Sequence, residues 1–302
     1  MKQQIHIRFF IMSLLFCAVC FTGFFMQGCS CSGSSAAPVV DMGPDLDNDG
    51  IPDAEDDDID GDASLNEDDC DAENSAINPL AEDFPDDEFA DTNCDGVDGN
   101  KELAVWVSAD EGDDTSEGTF ESPVKTIAQA IALASAKAEG ERDVYVVVGT
   151  YDEDVLLTDN VNLYGGYGLL LDDTRDRNLT SNRALIEGLA NSQKMDLVFH
   201  SGTFSLDYTL MINNSTSTLD GLVIEGDPAG LCVVSLNANT IISNSTVEDQ
   251  TPIATREISI TIAALIDNNT DEDHTLTLNN NTITLKGNGG LGSGGDSYVN
   301  IG

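Results

Sequence analysis

Aspartate and asparagine residues recur at alternate positions in three short segments between residues 45 and 102. The pattern D-x-[DN]-x-[DN]-G-x5-E places oxygen ligands around one calcium ion and a glycine at the sharpest turn. The candidate ligands are Asp45, Asp47, Asp49, Asp53 and Asp56 in the first segment, Asp58, Asp60, Asp62, Asn66 and Asp69 in the second, and Asp91, Asn93, Asp95 and Glu102 in the third. The sequence therefore predicts calcium as the cofactor, with the first segment the strongest candidate.

The three segments fit the pattern unequally. Gly50 and Gly96 occupy the turn position, whereas Ala63 stands there in the second segment. Chance would give about 0.1 glycine-containing match in so acidic a region, and two are present. No amphipathic helices of normal length flank the segments, so they are not paired EF-hands. The alternative interpretation is a solvated acidic segment that binds no ion.

The charge is concentrated in one part of the chain. The protein has 12 basic and 55 acidic residues and a net charge of −43, and residues 41–100 contain 24 acidic residues and no Lys or Arg. This charge excludes nucleic acid as a partner and attracts cations instead. The change to mixed polarity predicts a domain boundary near residue 100.

The seven cysteines favour a disulfide, as expected in an oxidising compartment, rather than a zinc site. Cys70 and Cys94 lie in the acidic region and are the expected disulfide, while Cys232 is expected to be a buried small apolar residue. The three histidines are scattered and no CxxC pair follows the signal segment, which argues against zinc.

The N-terminus has the layout of an export signal. A short basic start precedes 18 uncharged residues, Phe9 to Met26, and then Gln27, Gly28 and Cys29. A small residue before cysteine resembles the lipobox of bacterial lipoproteins. This predicts a signal peptide over 1–28, lipidation of Cys29, a flexible tether over 29–43, and an exported protein anchored to the outer membrane, at the cell surface or extracellular. The alternatives are a plain signal peptide or an uncleaved anchor.

The acidic region resembles two known families. DLDNDGIPDAEDDD resembles the thrombospondin type 3 repeat. The longer stretch with Asp58–Asp62, Asp69–Asp71, Asn78-Pro79 and Asn93–Asp98 resembles a metal-binding motif of secreted bacterial proteins. The resemblance implies that residues 44–102 form a calcium-dependent module stapled by a disulfide.

The remainder of the chain resembles the N-terminal segment of pectin-lyase-like proteins. The matching residues are Trp106–Ser108, Pro123–Ile127, Ala130, Val144–Val146, Gly149–Tyr151 and Val161–Tyr167. The resemblance implies an all-β fold, a right-handed parallel β-helix over 103–302 with a short capping helix. Ser122 is the expected N-cap of that helix, followed by Pro123, and Gly140 its expected end.

Periodicity favours the same fold. Apolar strand centres recur at steps of 18 to 23 residues, at Leu163, Ile186, Leu206, Ile224, Val247, Leu265 and Ile283. Asparagine-rich turns separate them, and asparagine tolerates left-handed backbone. The β-helix is possibly incomplete at the C-terminus, and the rival fold is a β-sandwich.

No catalytic centre is recognisable, so the expected function is a structural, adhesive or glycan-binding surface protein whose partners are surface glycans or another protein. The alternatives are a polysaccharide lyase or hydrolase of this fold and a metal store. A lyase that works by β-elimination needs a base, usually Arg or Lys. After residue 200 the only basic residues are Arg256 and Lys286, which argues against this activity. The acids Asp207, Asp220, Asp227 and Asp267 form no cluster in the sequence.

Overall fold

The computed structural model describes residues 43–170, 175–189, 194–199, 202–226, 231–249, 262–265, 274–285 and 297–301. All of them belong to one compact unit, Gly43–Gly302. Residues 43–104 contain turns and bends without a helix or strand. The remaining described residues form parallel β-sheets with one short helix, so the expectation of an all-β fold is confirmed in this form.

The elements follow one another along the chain as short strands. They are β1 (Val105–Val107), α1 (Ile127–Ser135), β2 (Asp143–Val147), β3 (Gly149–Asp152), β4 (Val155–Leu157), β5 (Asn162–Tyr167), β6 (Ala184–Glu187), β7 (Lys194–Phe199), β8 (Gly202–Asn213), β9 (Thr216–Asp220), β10 (Leu222–Glu225), β11 (Leu231–Leu236), β12 (Asn239–Ser243), β13 (Thr246–Asp249), β14 (Ile262–Leu265), β15 (Leu276–Asn279), β16 (Asn281–Leu285) and β17 (Ser297–Ile301).

The strands form three sheets. Sheet 1 has the order β1-β2-β5-β9-β12-β15, sheet 2 the order β3-β6-β10-β13-β16-β17, and sheet 3 the order β4-β8-β11-β14 with β7 beside β8. From β2 onward the chain visits sheets 1, 2 and 3 in turn, and we call one such passage a circuit. Among the described strands, all pairings are parallel except β7 with β8 and β16 with β17. This parallel pairing contradicts a β-sandwich, whose sheets are antiparallel.

Apolar side chains stack in register between circuits. In sheet 1 the column is Val105, Val144, Leu163, Leu219, Ile242 and Leu278. In sheet 2 it is Tyr151, Ile186, Ile224, Val247 and Ile283. Most of these side chains are fully buried. Because each strand is too short to bury its own apolar face, the columns supply the core.

The predicted period mixes strands from different sheets. Ile186, Ile224, Val247 and Ile283 share one column, but Leu163 lies in sheet 1, and Leu206 and Leu265 lie in sheet 3. Along the sheet 2 column the circuits take 35, 38, 23 and 36 residues rather than 18 to 23. One cause is the antiparallel β7–β8 hairpin, which lengthens one circuit.

Asparagine shapes the turns, as expected. Asn214, Asn237, Asn244 and Asn280 have φ between +48° and +50°. One pair also bridges two circuits, since Nδ2 of Asn280 donates to Oδ1 of Asn244 at 2.7 Å.

Helix α1 begins four residues later than the Ser122–Pro123 pair predicts. Val124 instead pairs with Val107 as an isolated bridge, and the Ser108 amide donates to its carbonyl at 2.9 Å. Thr126 is the N-cap and accepts from the Gln129 amide, while Ala136, not Gly140, is the C-cap. The helix has nine residues, and no helix of the described residues is long and apolar enough to cross a membrane.

Candidate metal centre

The three predicted loops share one backbone conformation. The amide of the sixth residue donates to the aspartate at the first position: Gly50 to Asp45 at 3.2 Å, Ala63 to Asp58 at 3.0 Å, and Gly96 to Asp91 at 2.9 Å. Each of these sixth residues has positive φ, +98°, +79° and +92° respectively. Ala63 therefore adopts the glycine conformation without being glycine.

A second hydrogen bond recurs in all three loops. The amide of the seventh residue donates to Oδ1 of the fifth: Ile51 to Asp49 at 2.7 Å, Ser64 to Asp62 at 2.7 Å, and Val97 to Asp95 at 3.1 Å. In the first two loops the ninth residue also accepts a hydrogen bond from the amide of the second residue. Oδ1 of Asp53 accepts from the Leu46 amide at 2.8 Å, and Oδ1 of Asn66 from the Ile59 amide at 3.0 Å.

In the first two loops this conformation gathers the carboxylates. Oxygens of Asp45, Asp47 and Asp49 lie within 4.8 Å of one another, and so do those of Asp58, Asp60 and Asp62. Calcium binds oxygens at about 2.3–2.6 Å, so two ligands of one ion are separated by up to about 5 Å. The spacing in both loops therefore fits a calcium ion.

Some of these oxygens are buried without a hydrogen-bond donor. They are Oδ1 of Asp45, Oδ2 of Asp60 and Oδ2 of Asp62. Buried polar atoms are nearly always paired, so oxygens of this kind need a partner such as an ion or water. The donor set, acidic oxygens alone, is the one calcium prefers.

The charge of the twelfth residue contributes to the raised pKa of the third residue in the same two loops. The hydrogen bond from the Asp49 amide lowers the pKa of Asp47. Desolvation and the charges of Asp49, Asp56 and Asp45 raise it, and together they outweigh the hydrogen bond, so the pKa is raised. Desolvation and then the charge of Asp62, with Asp69 and Asp58, raise the pKa of Asp60. The charges of Asp56 and Asp69 thus act on the two clusters, but their carboxylates are not among the gathered oxygens.

The third loop is different in its side chains. Oδ2 of Asp95 accepts from the Lys101 amide at 2.8 Å and from Nδ2 of Asn93 at 3.0 Å. Glu102 is exposed and does not join a gathered carboxylate group among the described residues. The structure therefore reproduces the backbone of this loop but does not bring its predicted twelfth ligand to the others.

The loops are attached to one another. Nδ2 of Asn66 donates to the Asp56 carbonyl at 2.7 Å. The predicted disulfide between Cys70 and Cys94 is present, with Cα atoms 5.7 Å apart, and links the end of the second loop to the third. Because these sulfurs are bonded to each other, their proximity to Asp69 is not a metal site. Cys232 is buried, as expected, and its thiol, which is not in a disulfide, donates to the Glu248 carbonyl at 3.3 Å.

Two buried arginines were not anticipated from the sequence. Arg175 and Arg177 are 1% and 4% exposed. Arg175 pairs with Glu111 at 2.7 Å, and Arg177 pairs with Asp98 at 2.8 Å and also with Asp220. The segment TRDRN resembles a solvated turn, and only its position beside the Gly-rich strand β5 could have suggested burial.

A row of acidic side chains across sheet 2 was also missed. Asp152, Glu187, Glu225 and Glu248 are in register on β3, β6, β10 and β13. We call them the sheet 2 acidic row. The sequence pattern that could have indicated this row is the repeated strand end in which an apolar residue precedes glutamate, in LIE, VIE and VE. Arg183 lies 3.4 Å from Glu225.

Of the other residues weighed for catalysis, the two that the structure describes, Asp207 and Asp220, lie in different sheets. Asp220 is held by Arg177, and Asp207 is buried in β8. Arg256, Lys286, Asp227 and Asp267 lie outside the described residues, as do Cys29, the signal segment and the tether up to Met42.

Comparison with known proteins identifies a family, and the matches among solved structures include a weak one. A family model described as "Protein of unknown function (DUF1565)" matches residues 110–300, more than half of the chain. No curated protein sequence matches. A solved structure of a GH136 lacto-N-biosidase from Eubacterium ramulus aligns at 13% identity and a TM-score of 0.26, over 54% of this chain and 34% of that one. The chain thus spans about a third of that structure, and a likeness this weak carries no argument about activity.

Proposed function

The chain belongs to the DUF1565 family, and we propose that it is an exported, calcium-stabilised surface protein built on a right-handed parallel β-helix. In this proposal Cys29 carries a lipid that anchors the protein to the outer membrane. The folded part has a structural, adhesive or glycan-binding role, with surface glycans or another protein as its partner.

The β-helix is supported by the order of the strands. The chain visits sheets 1, 2 and 3 repeatedly, and each strand pairs in parallel with the equivalent strand of the next circuit. Stacked circuits with in-register apolar columns are the arrangement of a solenoid. A right-handed connection is the rule for parallel strands.

The calcium role rests on one observation above all: Asp45, Asp60 and Asp62 each bury an oxygen that has no hydrogen-bond donor, inside clusters of three carboxylates. Such clusters repel themselves without a cation. Residues 43–104 also lack helices and strands that could offset their ordering entropy. Bound calcium would supply both the counter-charge and part of the folding free energy.

Calorimetry of the mature chain tests this role. The unaltered protein is expected to bind calcium, and Asp47→Ala with Asp49→Ala to remove about one ion per chain. The matched control, Glu55→Ala with Asp57→Ala, removes two exposed charges from the same stretch and is expected to keep that ion. Absence of any calcium binding by the unaltered chain would reject the calcium role.

The anchor has its own test. Globomycin is expected to cause accumulation of the precursor, and Cys29→Ser to abolish labelling by an alkyne fatty acid. Cys31→Ser is the control and is expected to leave labelling intact. Labelling that persists in Cys29→Ser contradicts the anchor.

A glycan array screened with calcium and with chelator tests the ligand class. The alternative, a polysaccharide hydrolase, is favoured by one observation, the sheet 2 acidic row, because glycoside hydrolases use paired carboxylates about 5–9 Å apart. Release of new reducing ends that Glu225→Gln abolishes, with Glu141→Gln as control, would favour the enzyme. Retention of glycan without product would favour the binding protein.

A further inference from the structure

A cavity lies at the corner where the chain passes from sheet 3 to sheet 1. Four successive turns form this corner, and they precede β5, β9, β12 and β15. We call it the corner cavity. Its lining shares no residue with the calcium loops or the sheet 2 acidic row, so neither explains it. Its volume is about 190 Å³, and its lining includes Asn160, Asn214, Ser215, Thr216, Asn239 and His274.

His274 has an unusual environment in this cavity. Nδ1 and Nε2 are both buried, and neither has a hydrogen-bond partner within the described residues. Among those residues no other side chain has two such atoms. A buried nitrogen without a partner costs free energy, so nearly all of them are paired in proteins. The partners of this imidazole therefore come from outside the chain, as water or as a ligand.

Hydrogen bonds between the turns hold the rest of the wall in one shape. Oδ1 of Asn160 accepts from the Thr216 amide at 2.8 Å. Oδ1 of Asn239 accepts from the Thr275 amide at 3.0 Å, and Thr275 directly follows His274. Polar groups that are positioned before a ligand arrives lower the entropy cost of binding. The corner cavity is thus pre-organised by its own turns.

The lining of the corner cavity is uncharged in type. Its described side chains carry amide, hydroxyl and imidazole groups and no carboxylate or ammonium group. Calcium prefers carboxylate oxygens, and the net charge of −43 repels an anion. Amide, hydroxyl and imidazole groups both donate and accept hydrogen bonds, and so do the hydroxyl groups of a sugar. The chemistry therefore fits an uncharged ligand with several hydroxyl groups.

The size and opening of the cavity agree with such a ligand. A water molecule needs only about 10–15 Å³ of cavity volume, so about 190 Å³ has room for a sugar ring. Asn214 and Thr216 are exposed, so the cavity opens to solvent on their side. The remainder of a longer glycan would leave through this opening.

We propose that the corner cavity binds one neutral hexose residue of a glycan and that His274 recognises it, an inference that rests on the proposed glycan-binding role. A neutral imidazole has one donor and one acceptor nitrogen, which suit two neighbouring hydroxyl groups. The bound sugar supplies the hydrogen bonds that both nitrogens of His274 lack, and Thr216 contributes its hydroxyl at the opening.

Titration of the mature chain with simple sugars tests the site directly. The probes are the methyl glycosides of glucose, galactose and mannose, at pH 7.5 in millimolar calcium. Binding is followed by saturation-transfer NMR and by the ring C–H resonances of histidine. At least one glycoside is expected to bind and to shift the His274 resonance, which is identified by its loss in His274→Phe.

Three variants are compared by this titration, on the glycan array and in thermal unfolding. His274→Phe keeps an aromatic ring and deletes both nitrogens, so it is expected to weaken binding about tenfold. Its thermal midpoint is expected not to fall, because those nitrogens have no partner in the described fold. Thr216→Val is expected to weaken binding severalfold. Thr277→Val, the same change at an exposed position of β15 outside the lining, is the control and is expected to keep full binding.

The outcomes separate this inference from the proposed function. No binding of any arrayed glycan or methyl glycoside by the unaltered chain rejects the glycan-binding role and this inference with it. Array binding without a shift of the His274 resonance, or with full affinity in both His274→Phe and Thr216→Val, means that the cavity holds water only, and it rejects the inference alone. If His274→Phe does not fold, equal affinities of Thr216→Val and Thr277→Val reject it.

Discussion

At the scale of single residues, Ala63 occupies a conformation that suits glycine. Its φ is +79°, and its counterparts in the other two loops are Gly50 and Gly96. An alanine in left-handed backbone costs about 1 kcal/mol relative to glycine. The strain is local to the second loop, where Asp62 and Asp60 bury unpaired oxygens.

Ala63→Gly is therefore expected to stabilise the protein by about 1 kcal/mol in urea denaturation with calcium present. Ala54→Gly is the matched control, since Ala54 is exposed and its φ is not positive. There, glycine only adds unfolded-state entropy, so stability is expected to fall slightly. Equal effects of the two substitutions would contradict the interpretation of strain.

Asp98 is a buried carboxylate whose ionisation opposes folding. Desolvation raises its pKa to about 6, although hydrogen bonding and the charge of Arg177 act in the other direction. An aspartate whose pKa is raised on folding favours the folded state when protonated. Stability from this group is therefore present at acidic pH and is lost as pH rises from about 4 through about 6.

Asp98→Asn is expected to remove this pH dependence. At saturating calcium, the free energy of unfolding of Asp98→Asn minus that of the unaltered chain is expected to increase by about 2 kcal/mol between pH 4 and pH 7, because only the unaltered chain loses this stability. Asp176→Asn, an exposed neighbour of Arg177, is expected to show no such trend. Parallel pH profiles for Asp98→Asn and the unaltered chain would contradict the assignment.

Residue types predicted the loops well because ligand geometry is local. Alternating carboxylates and a turn residue lie within twelve positions, so their spacing alone predicts the shared backbone of the three loops. Arg177 could not be found in this way. Its partners Asp98 and Asp220 are 79 and 43 residues away, and only the packing of the circuits brings them together.

At the scale of elements, α1 is started by groups from elsewhere in the chain. The Glu153 carboxylate accepts from the amides of Ile127 at 2.7 Å and Ala128 at 3.0 Å. Asp114 accepts from the amides of Lys125 at 2.9 Å and Thr126 at 2.8 Å. The first-turn amides, which have no partner inside a helix, are thereby satisfied.

Glu153→Gln leaves one acceptor oxygen for two amides, so it is expected to lower the free energy of unfolding by about 1–2 kcal/mol. Glu141→Gln, at an exposed position without a capping role, is expected to change it by less than about 0.5 kcal/mol. Urea denaturation measures both. A loss no larger in Glu153→Gln than in the control would contradict the capping role.

The helix start shows how distant contacts override a local signal. Ser122 and Pro123 carry a recognised N-terminal pattern, yet Val124 is fully buried and bridges to Val107. An extended residue at 124 cannot belong to a helix. Thr126 with Gln129 three residues later is also a local N-cap pattern, and the distant groups Glu153 and Asp114 stabilise the start there rather than at Ser122.

At the scale of the whole molecule, the sequence predicted stacked parallel strands but not the length of a circuit. Strands of all three sheets carry the same apolar pattern, so the periodicity places Leu163, Ile186 and Leu206 in one series although each lies in a different sheet. Hairpins and longer connections then make the circuits unequal. In-register partners such as Ile186 and Ile224 are 38 residues apart, and no local signal relates them.

The sheet 2 acidic row has a consequence for how the protein responds to its ionic medium. Register holds Asp152, Glu187 and Glu225 on adjacent strands, about 4.8 Å apart. That spacing is about half the screening length at 0.1 M salt and a small fraction of it at 0.01 M. Dissolved salt therefore weakens a repulsion that folding imposes.

Glu187→Gln is expected to stabilise the protein by about 0.5 kcal/mol in 0.01 M salt and by almost nothing in 0.5 M salt. Glu117→Gln, exposed and outside the row, is the control and is expected to show a much smaller dependence. Urea denaturation across a sodium chloride series checks both, and a salt-independent effect of Glu187→Gln would contradict the interpretation. On this account the fold is least stable in water of low ionic strength, because dilution increases the distance over which every charge in the row acts.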